Sequence, residues 1–331
     1  MGNAATITLA RKVEYLRSLC GPDDEVIETH FALVFLLGER ALKMRKPVRR
    51  DTMDYATLAA RQHDSEEEVR LNRRLAPDVY LRTLPLLAGP DGHLSLAGAG
   101  EVVEWLVEMR RLDRSRMLDE ALVRGAASTH ALQRVVDLLA AFYASSEPAL
   151  AGPADFPPRL ERQVRANHRV LASLHEARAG QLLDLQRAFL AAWRPLLESR
   201  VSRGCVIEAH GDLRPEHILL AEPPAVIDCL EFDLQLRILD RAEELCFLAL
   251  ECGRLGHADT GDWLLRQCLT RLSDDAPDEL LNFYRSHRAA TRAKLYTWRS
   301  TEPDGGTPAE WRERAASYLD TALVEARRAL H

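Results

Sequence analysis

Several features that would classify a chain at sight are missing from these 331 residues. The six cysteines (Cys20, Cys205, Cys229, Cys246, Cys252, Cys268) contain no C-x-x-C pair. Scattered in apolar surroundings, they read as reduced, buried thiols of a cytoplasmic protein. No stretch approaches the roughly 18 apolar residues of a membrane span, and the N-terminus lacks the apolar core and cleavage site of a secretory leader. A basic excess is absent too: 44 Lys and Arg face 50 Asp and Glu, a net charge of -6, which argues against a nucleic-acid partner. Most of the acidic surplus falls after Leu112, a mild lean toward a cationic substrate. There is no internal repeat and no G-x-S-x-G nucleophile elbow.

What is present is an ordinary globular composition, 47% apolar and 28% charged, in a chain long enough for two cores. Residues 11–20 read as a short helix. From Val26 the pattern becomes strand-like, with Phe31–Leu37 and Ala41–Lys46 joined by a Gly38-Glu39 turn and ended by Pro47. Tyr55 to Leu75 has helical spacing at Leu58, Val69, Leu71 and Leu75, and Pro77 stops it. Two further strands are expected at Tyr80–Leu87 and Val102–Met109. After Leu112 the periodicity is almost wholly helical, around 130–144, 158–177, 180–200, 240–255, 260–273, 277–300 and 308–330. Ala149–Pro158 reads as a loop, and Val206–Asp228 breaks the helical pattern with short apolar pieces.

Inside that break lies the most informative stretch, His210-Gly211-Asp212-Leu213-Arg214-Pro215-Glu216-His217, followed by Val226-Ile227-Asp228. It sets an aspartate in a polar loop, a cation two residues on, an imidazole five residues on, and a second carboxylate at the end of an apolar run. Phosphoryl transfer from a nucleotide needs such a set: a base to orient a hydroxyl, a cation near the γ-phosphate, and ligands for Mg²⁺. A carboxylate closing a buried strand is costly unless paired or metal-bound.

The octet resembles the protein-kinase catalytic loop H-R-D-L-K-P-E-N, with Gly211, Arg214 and His217 as departures. Its His-Gly-Asp start and the helical second half are more similar to aminoglycoside phosphotransferases and choline kinases. Glu28-Thr29-His30, Leu42–Val48, Glu66–Leu81 and Met109–Leu118 resemble an uncharacterised branch of aminoglycoside-phosphotransferase-like proteins. The resemblance spans roughly residues 26–300. It implies an α+β, bilobal, protein-kinase-like fold. Residues 1–112 would form a nucleotide-binding lobe of antiparallel sheet plus helix, with a hinge near 104–111, and residues 113–331 a mostly helical lobe.

The resemblance also implies roles. Asp212 takes the position of the catalytic carboxylate, and Arg214 that of a lysine at the γ-phosphate, although a solvated loop arginine is an equal reading. Asp228 matches the Mg²⁺-binding aspartate; Cys229-Leu230 follows it where protein kinases have Phe-Gly. His217 stands in place of the asparagine that binds a second Mg²⁺, and reads either as ligand or as structural, since a hard cation prefers oxygen. His210 is expected behind the loop, bonded to backbone. Strand alternation puts Lys43 and Arg45 on one face; Lys43, or else Lys46, would bind phosphate, paired with Glu68 or else Glu67. Glu108, Met109 and Arg110 would meet the nucleotide base. The turn near Thr29–Ala32 has no glycine to cover phosphates. Asp240 resembles a brace for the catalytic loop and equally reads as a helix N-cap. Arg288, Arg292 and Lys294 read as a solvated helical face.

The expected activity is therefore an ATP- or GTP-dependent, Mg²⁺-dependent transfer of phosphate to a hydroxyl of an aminoglycoside, amino sugar or amino alcohol. A pseudokinase that binds nucleotide or a partner is the alternative. A protein-serine kinase is weakened by the lack of D-F-G and A-P-E, and a metallohydrolase by the lack of a further ligand cluster. Oligomeric state is not encoded in any feature of the chain.

Overall fold

The computed structural model describes residues 7–22, 24–50, 53–149, 152–301 and 307–331. In chain order it contains α1 (Leu9–Ser18), β1 (Val26–Glu28), β2 (Ala32–Leu37), β3 (Arg40–Arg45), β4 (Arg49–Arg50), β5 (Met53–Asp54), α2 (Leu58–Asn72), β6 (Tyr80–Ala88), β7 (Leu94–Ser95) and β8 (Glu101–Arg110). Then come α3 (Leu118–Val123), α4 (Thr129–Ser145), α5 (Phe156–Ala192), α6 (Arg194–Ser202), β9 (Val206–Glu208), β10 (Ile218–Leu219) and β11 (Ala225–Val226). The chain finishes with α7 (Leu234–Arg237), β12 (Ile238–Asp240), α8 (Arg241–Arg254), α9 (Ala258–Arg271), α10 (Asp278–Arg299) and α11 (Pro308–Arg328). Packing divides it into two compact units, Met1–Glu120 with His217–Leu234, and Ala121–Glu216 with Gln235–His331.

The first unit is built on a six-stranded antiparallel sheet in the order β1-β2-β3-β8-β6-β7. Gly38, at φ +55°, makes the tight turn between β2 and β3, a conformation that costs glycine nothing. Alternation along β3 sends Leu42 and Met44 into an apolar cluster with Leu33, Phe35, Leu84, Leu106 and Leu16 of α1. A side chain such as Phe35, fully buried, contributes about 2 kcal/mol. The same alternation turns Lys43 and Arg45 the other way. α2 begins at Thr57, whose side chain accepts from the Ala60 N–H at 3.1 Å, the usual use of a threonine N-cap. A second cluster joins Val69, Val79, Tyr80 and Val107 to Leu219 and Ala225 of the β10–β11 hairpin, so this late hairpin completes the core of the first unit.

The second unit is helical apart from the β9–β12 pair. Its core packs Leu171, Phe247, Leu250, Ala289, Ala293, Leu319, Ala322 and Leu323 from α5, α8, α10 and α11. The small residues of α10 admit close helix approach. The two helices expected at 158–177 and 180–200 meet at a kink at His175 (φ -143°, ψ 53°) within α5; the second ends at Ala192 and is followed by α6. Residues 150–151 of the expected Ala149–Pro158 loop lie outside the described residues; the remainder is a short 3₁₀ turn, Pro153–Asp155, leading into α5. Five of the six cysteines are buried and none of the six forms a disulfide. Burial pushes the thiols of Cys246, Cys252 and Cys268 up to about 12, far from a reactive thiolate. Among the described residues no helix is long and apolar enough to cross a membrane.

Candidate functional site

In the first unit, β3, α2 and the segment after β11 bring a charged group together. Lys43 Nζ donates to Glu68 Oε1 at 2.7 Å and lies 4.0 Å from Asp228 Oδ1. Burial works against the lysine's charge, but Glu68, Glu231 and Asp228 outweigh it and hold its pKa above the ordinary value. Lys46 and Glu67 take other partners. Lys46 donates to Glu28 at 2.6 Å and to the Thr29 carbonyl at 2.7 Å, tying down the β1–β2 loop, while Glu67 pairs with Arg70 on the helix surface.

Asp228 is presented by the β10–β11 hairpin. Ile218 pairs with Val226 and Leu219 with Ala225, and the Ile227 N–H donates to the His217 carbonyl at 2.9 Å. The ladder thus sets His217 beside Asp228, with Nε2 3.4 Å from Oδ2. The imidazole is almost buried, whereas the Asp228 carboxylate is 53% exposed. Asp228 adopts φ +62°, a left-handed conformation that aspartate tolerates but does not prefer. Its N–H donates to Tyr80 Oη at 3.2 Å, and the next N–H, of Cys229, donates to Asn72 Oδ1 at 2.9 Å.

Three residues of this network, Arg45, Asp64 and Glu231, were given no role from the sequence. Arg45 is buried, donates to Glu68 Oε2 at 2.7 Å, contacts the carboxylates of Asp64 and Glu231, and lies over the Tyr55 ring. Oxygens of Asp64, Glu68 and Glu231 lie within 4.8 Å of one another, a spacing suited to a cation; the Arg45 guanidinium fills that role. Burial pushes the Asp64 carboxyl up to about 7 despite Arg45. Alternation with Lys43, and the four-residue step from Asp64 to Glu68 on α2, were signals available in the sequence. Glu231 carried none.

The expected base-reading residues lie within β8. Glu108 is buried, accepting from Arg40 Nη1 at 2.8 Å and Arg82 Nε at 2.6 Å; these arginines overcome burial and hold its carboxyl below the usual range. Met109 packs against the cluster of Val107 and Tyr80, and Arg110 is exposed, with Nε 3.3 Å from the Asp78 carbonyl. Residues 106–109 pair with β3 on one side and β6 on the other. Their backbone groups are committed to the sheet, so the free edge expected of a hinge is not found there.

In the second unit the loop after β9 is organised by one carboxylate. Glu244 of α8 accepts from the N–H groups of His210 at 3.1 Å and Gly211 at 2.5 Å, and from Tyr143 Oη at 2.8 Å. Burial outweighs these donors and pushes its carboxyl above the usual range. Gly211 sits at φ +92°, which explains why glycine stands here: a Cβ would be strained in that region. The Gly211 carbonyl accepts from Arg288 Nη2 at 2.8 Å. His210 is buried, its Nδ1 3.4 Å from the Asp212 N–H. Arg214 Nε donates to Asp212 Oδ2 at 3.1 Å, and its Nη1 lies 2.6 Å from Glu216.

Two expectations need correction here. The backbone of the loop is held by Glu244, one turn beyond the residue expected to brace it. Asp240 caps α8 through the Ala242 N–H at 2.9 Å and is otherwise taken by Arg200 and by Tyr284 Oη. Nor do Arg288, Arg292 and Lys294 form a solvated face. Arg288 is buried with its guanidinium 4.1 Å above Phe247, Arg292 packs on Tyr296, and burial lowers Lys294 to about 8. Helical spacing identified a face but not the neighbours that cover it.

A six-stranded antiparallel sheet with one packed helix, followed in the chain by a mostly helical unit carrying a His-Gly-Asp loop, is a kinase-like fold. The model of the phosphotransferase enzyme family matches residues 51–242, and the chain belongs to that family. Uncharacterised proteins of Mycobacterium tuberculosis and Mycobacterium bovis are 34% identical over 283 residues, 83% of this chain. The chain spans about half, 55%, of the length of those curated relatives. Among solved structures, choline kinase from Cryptosporidium parvum superposes with a TM-score of 0.56 at 11% identity, covering 98% of this chain and 96% of that one. The GDP and kanamycin complex of APH(2″)-IIIa gives 0.52 at 13% identity, covering 94% and 98%. At these identities the likeness is one of fold.

Proposed function

We propose that the chain transfers the γ-phosphate of ATP or GTP, with Mg²⁺, to a hydroxyl of a small molecule of the aminoglycoside, amino-sugar or amino-alcohol type. The observation that carries this reading is Lys43 Nζ standing between Glu68 at 2.7 Å and Asp228 at 4.0 Å. That cation is placed to meet phosphate oxygens while Glu68 keeps it charged and directed. The half-exposed Asp228 carboxylate suits a hard divalent ion; Asp228 would hold it, with His217 beside it as ligand or as the partner that orients the carboxylate. When bound, the metal neutralises charge on the transferring phosphate. Asp212 accepts a hydrogen bond from the hydroxyl of the acceptor and aims its oxygen, while Arg214 holds the Asp212 carboxylate. The fold-related structures include a GDP and kanamycin complex of APH(2″)-IIIa and a choline kinase, which supports nucleotide use and an amine-bearing acceptor.

The test is a screen for release of ADP or GDP from Mg-ATP and Mg-GTP over aminoglycosides, amino sugars, choline-like amines and nucleosides, with the phosphorylated acceptor identified by mass. Metal-dependent release that is stimulated by one acceptor class and falls about 10²–10⁴-fold in Asp212→Ala is the expected result. Nucleotide binding without turnover with any acceptor would instead favour a pseudokinase, the reading that His217 in place of asparagine supports.

A further inference from the structure

Lys43, Glu68 and Asp228 come from three separate segments, β3, α2 and the turn after β11. Each segment carries a second charged residue close by: Arg45 two residues after Lys43, Asp64 one helical turn before Glu68, Glu231 three residues after Asp228. Arg45 touches all the others, reaching Glu68 Oε2 at 2.7 Å and contacting Asp64 and Glu231. All four side chains are nine-tenths or more buried. Burying four charges is expensive, and an apolar cluster of the same volume would usually stabilise a fold at least as well. What apolar packing cannot supply is direction. A planar guanidinium with five donors binds several carboxylates at fixed angles, and here it binds two from α2 and one from the segment after β11.

The segment most in need of such a tie is the one bearing Asp228. At φ +62° this residue holds a conformation that persists only when its surroundings over-determine it. Asn72 Oδ1 secures the following N–H, and Glu231 secures the far side through Arg45. We propose that Arg45 and Glu231 are positioning residues, a buried clamp that sets the Asp228 carboxylate in register with Lys43 for the metal–nucleotide complex. This rests on the function proposed above. The clamp acts through Asp228, so its removal weakens use of the metal before it weakens contact with nucleotide alone.

The experiment compares wild type with Glu231→Gln, Arg45→Lys and Arg45→Met, measuring Mg²⁺-dependent phosphate release from ATP and ATP binding in EDTA. In Glu231→Gln the Mg²⁺ concentration for half-maximal release is expected to rise about tenfold or more, as for loss of a residue that orients a metal ligand, with metal-free ATP binding unchanged. Arg45→Lys, keeping charge but losing the fork, should fall between wild type and Arg45→Met. If Arg45→Met does not fold, Glu231→Gln, which preserves shape, decides alone. An unchanged Mg²⁺ requirement in Glu231→Gln, or an equal loss of metal-free ATP binding, overturns the clamp while leaving the enzyme reading standing. A wild-type protein that neither binds Mg-ATP nor releases phosphate overturns the function, and the clamp with it.

Discussion

Around Lys43 charged side chains are fixed by other charged side chains; around Asp212 a backbone turn is fixed by one carboxylate. In the first unit Lys43, Arg45, Asp64, Glu68 and Glu231 balance one another over distances set by Coulomb attraction. In the second, Glu244 accepts the consecutive N–H groups of His210 and Gly211, and Arg288 donates to the Gly211 carbonyl that follows. In the first arrangement the Arg45 fork supplies direction and the surrounding charges add long-range electrostatic reach, because Coulomb energy varies slowly with distance. The second dictates shape, because hydrogen bonds fail steeply when misaligned. A group that meets phosphate needs charge, whereas one that aims a hydroxyl needs position.

The contrast can be broken by substitution. Glu68→Leu leaves Lys43 and Arg45 without their shared counter-charge, and should cost about 3–5 kcal/mol of stability in denaturant unfolding. A cost below 1 kcal/mol would mean that Asp64 and Glu231 carry the network without it. Gly211→Ala changes no charge but forces a Cβ into φ +92°; about 1–2 kcal/mol of destabilisation is expected. Turnover should fall while nucleotide affinity holds, since the strain falls on the Asp212 loop. Equal losses in both would erase the distinction drawn here. The smallest effect concerns Lys294, whose pKa burial lowers from 10.5 to about 8. The unfolded chain therefore binds more protons between those values, and stability should rise with pH across that window. Lys294→Met, relieved of the buried charge, is expected to be more stable than wild type at pH 7 by on the order of 1 kcal/mol, a gain of about 2 °C in Tm. The advantage should vanish above about pH 10.5, as thermal unfolding at pH 7, 9 and 11 would read.

The sheet, the long helices and the placing of Lys43 on β3 were legible because they follow from periodicity, which is local. Gly211 was visible only as a departure from a motif; its reason, a left-handed turn, belongs to the folded backbone. Glu231 and Arg45 are separated by 186 residues, and no local pattern announces a pairing at that range. Glu244 sits among four acidic residues between Asp240 and Glu251, where helical spacing alone does not tell a loop anchor from a surface charge. Arg288 and Arg292 were misjudged for a related reason: a charged stripe on a helix is solvated only if nothing packs against it, and Phe247 and Tyr318 do.

The β10–β11 hairpin has a practical consequence for anyone who wishes to dissect the chain. Leu219 and Ala225 complete an apolar cluster whose other members lie before residue 118, so a fragment ending at Glu120 would expose that cluster and should aggregate. Appending residues 217–234 through a flexible linker would restore the missing wall. Expressed that way, the first unit becomes a reagent in its own right, one that still carries Lys43, Glu68 and Asp228 but lacks Asp212.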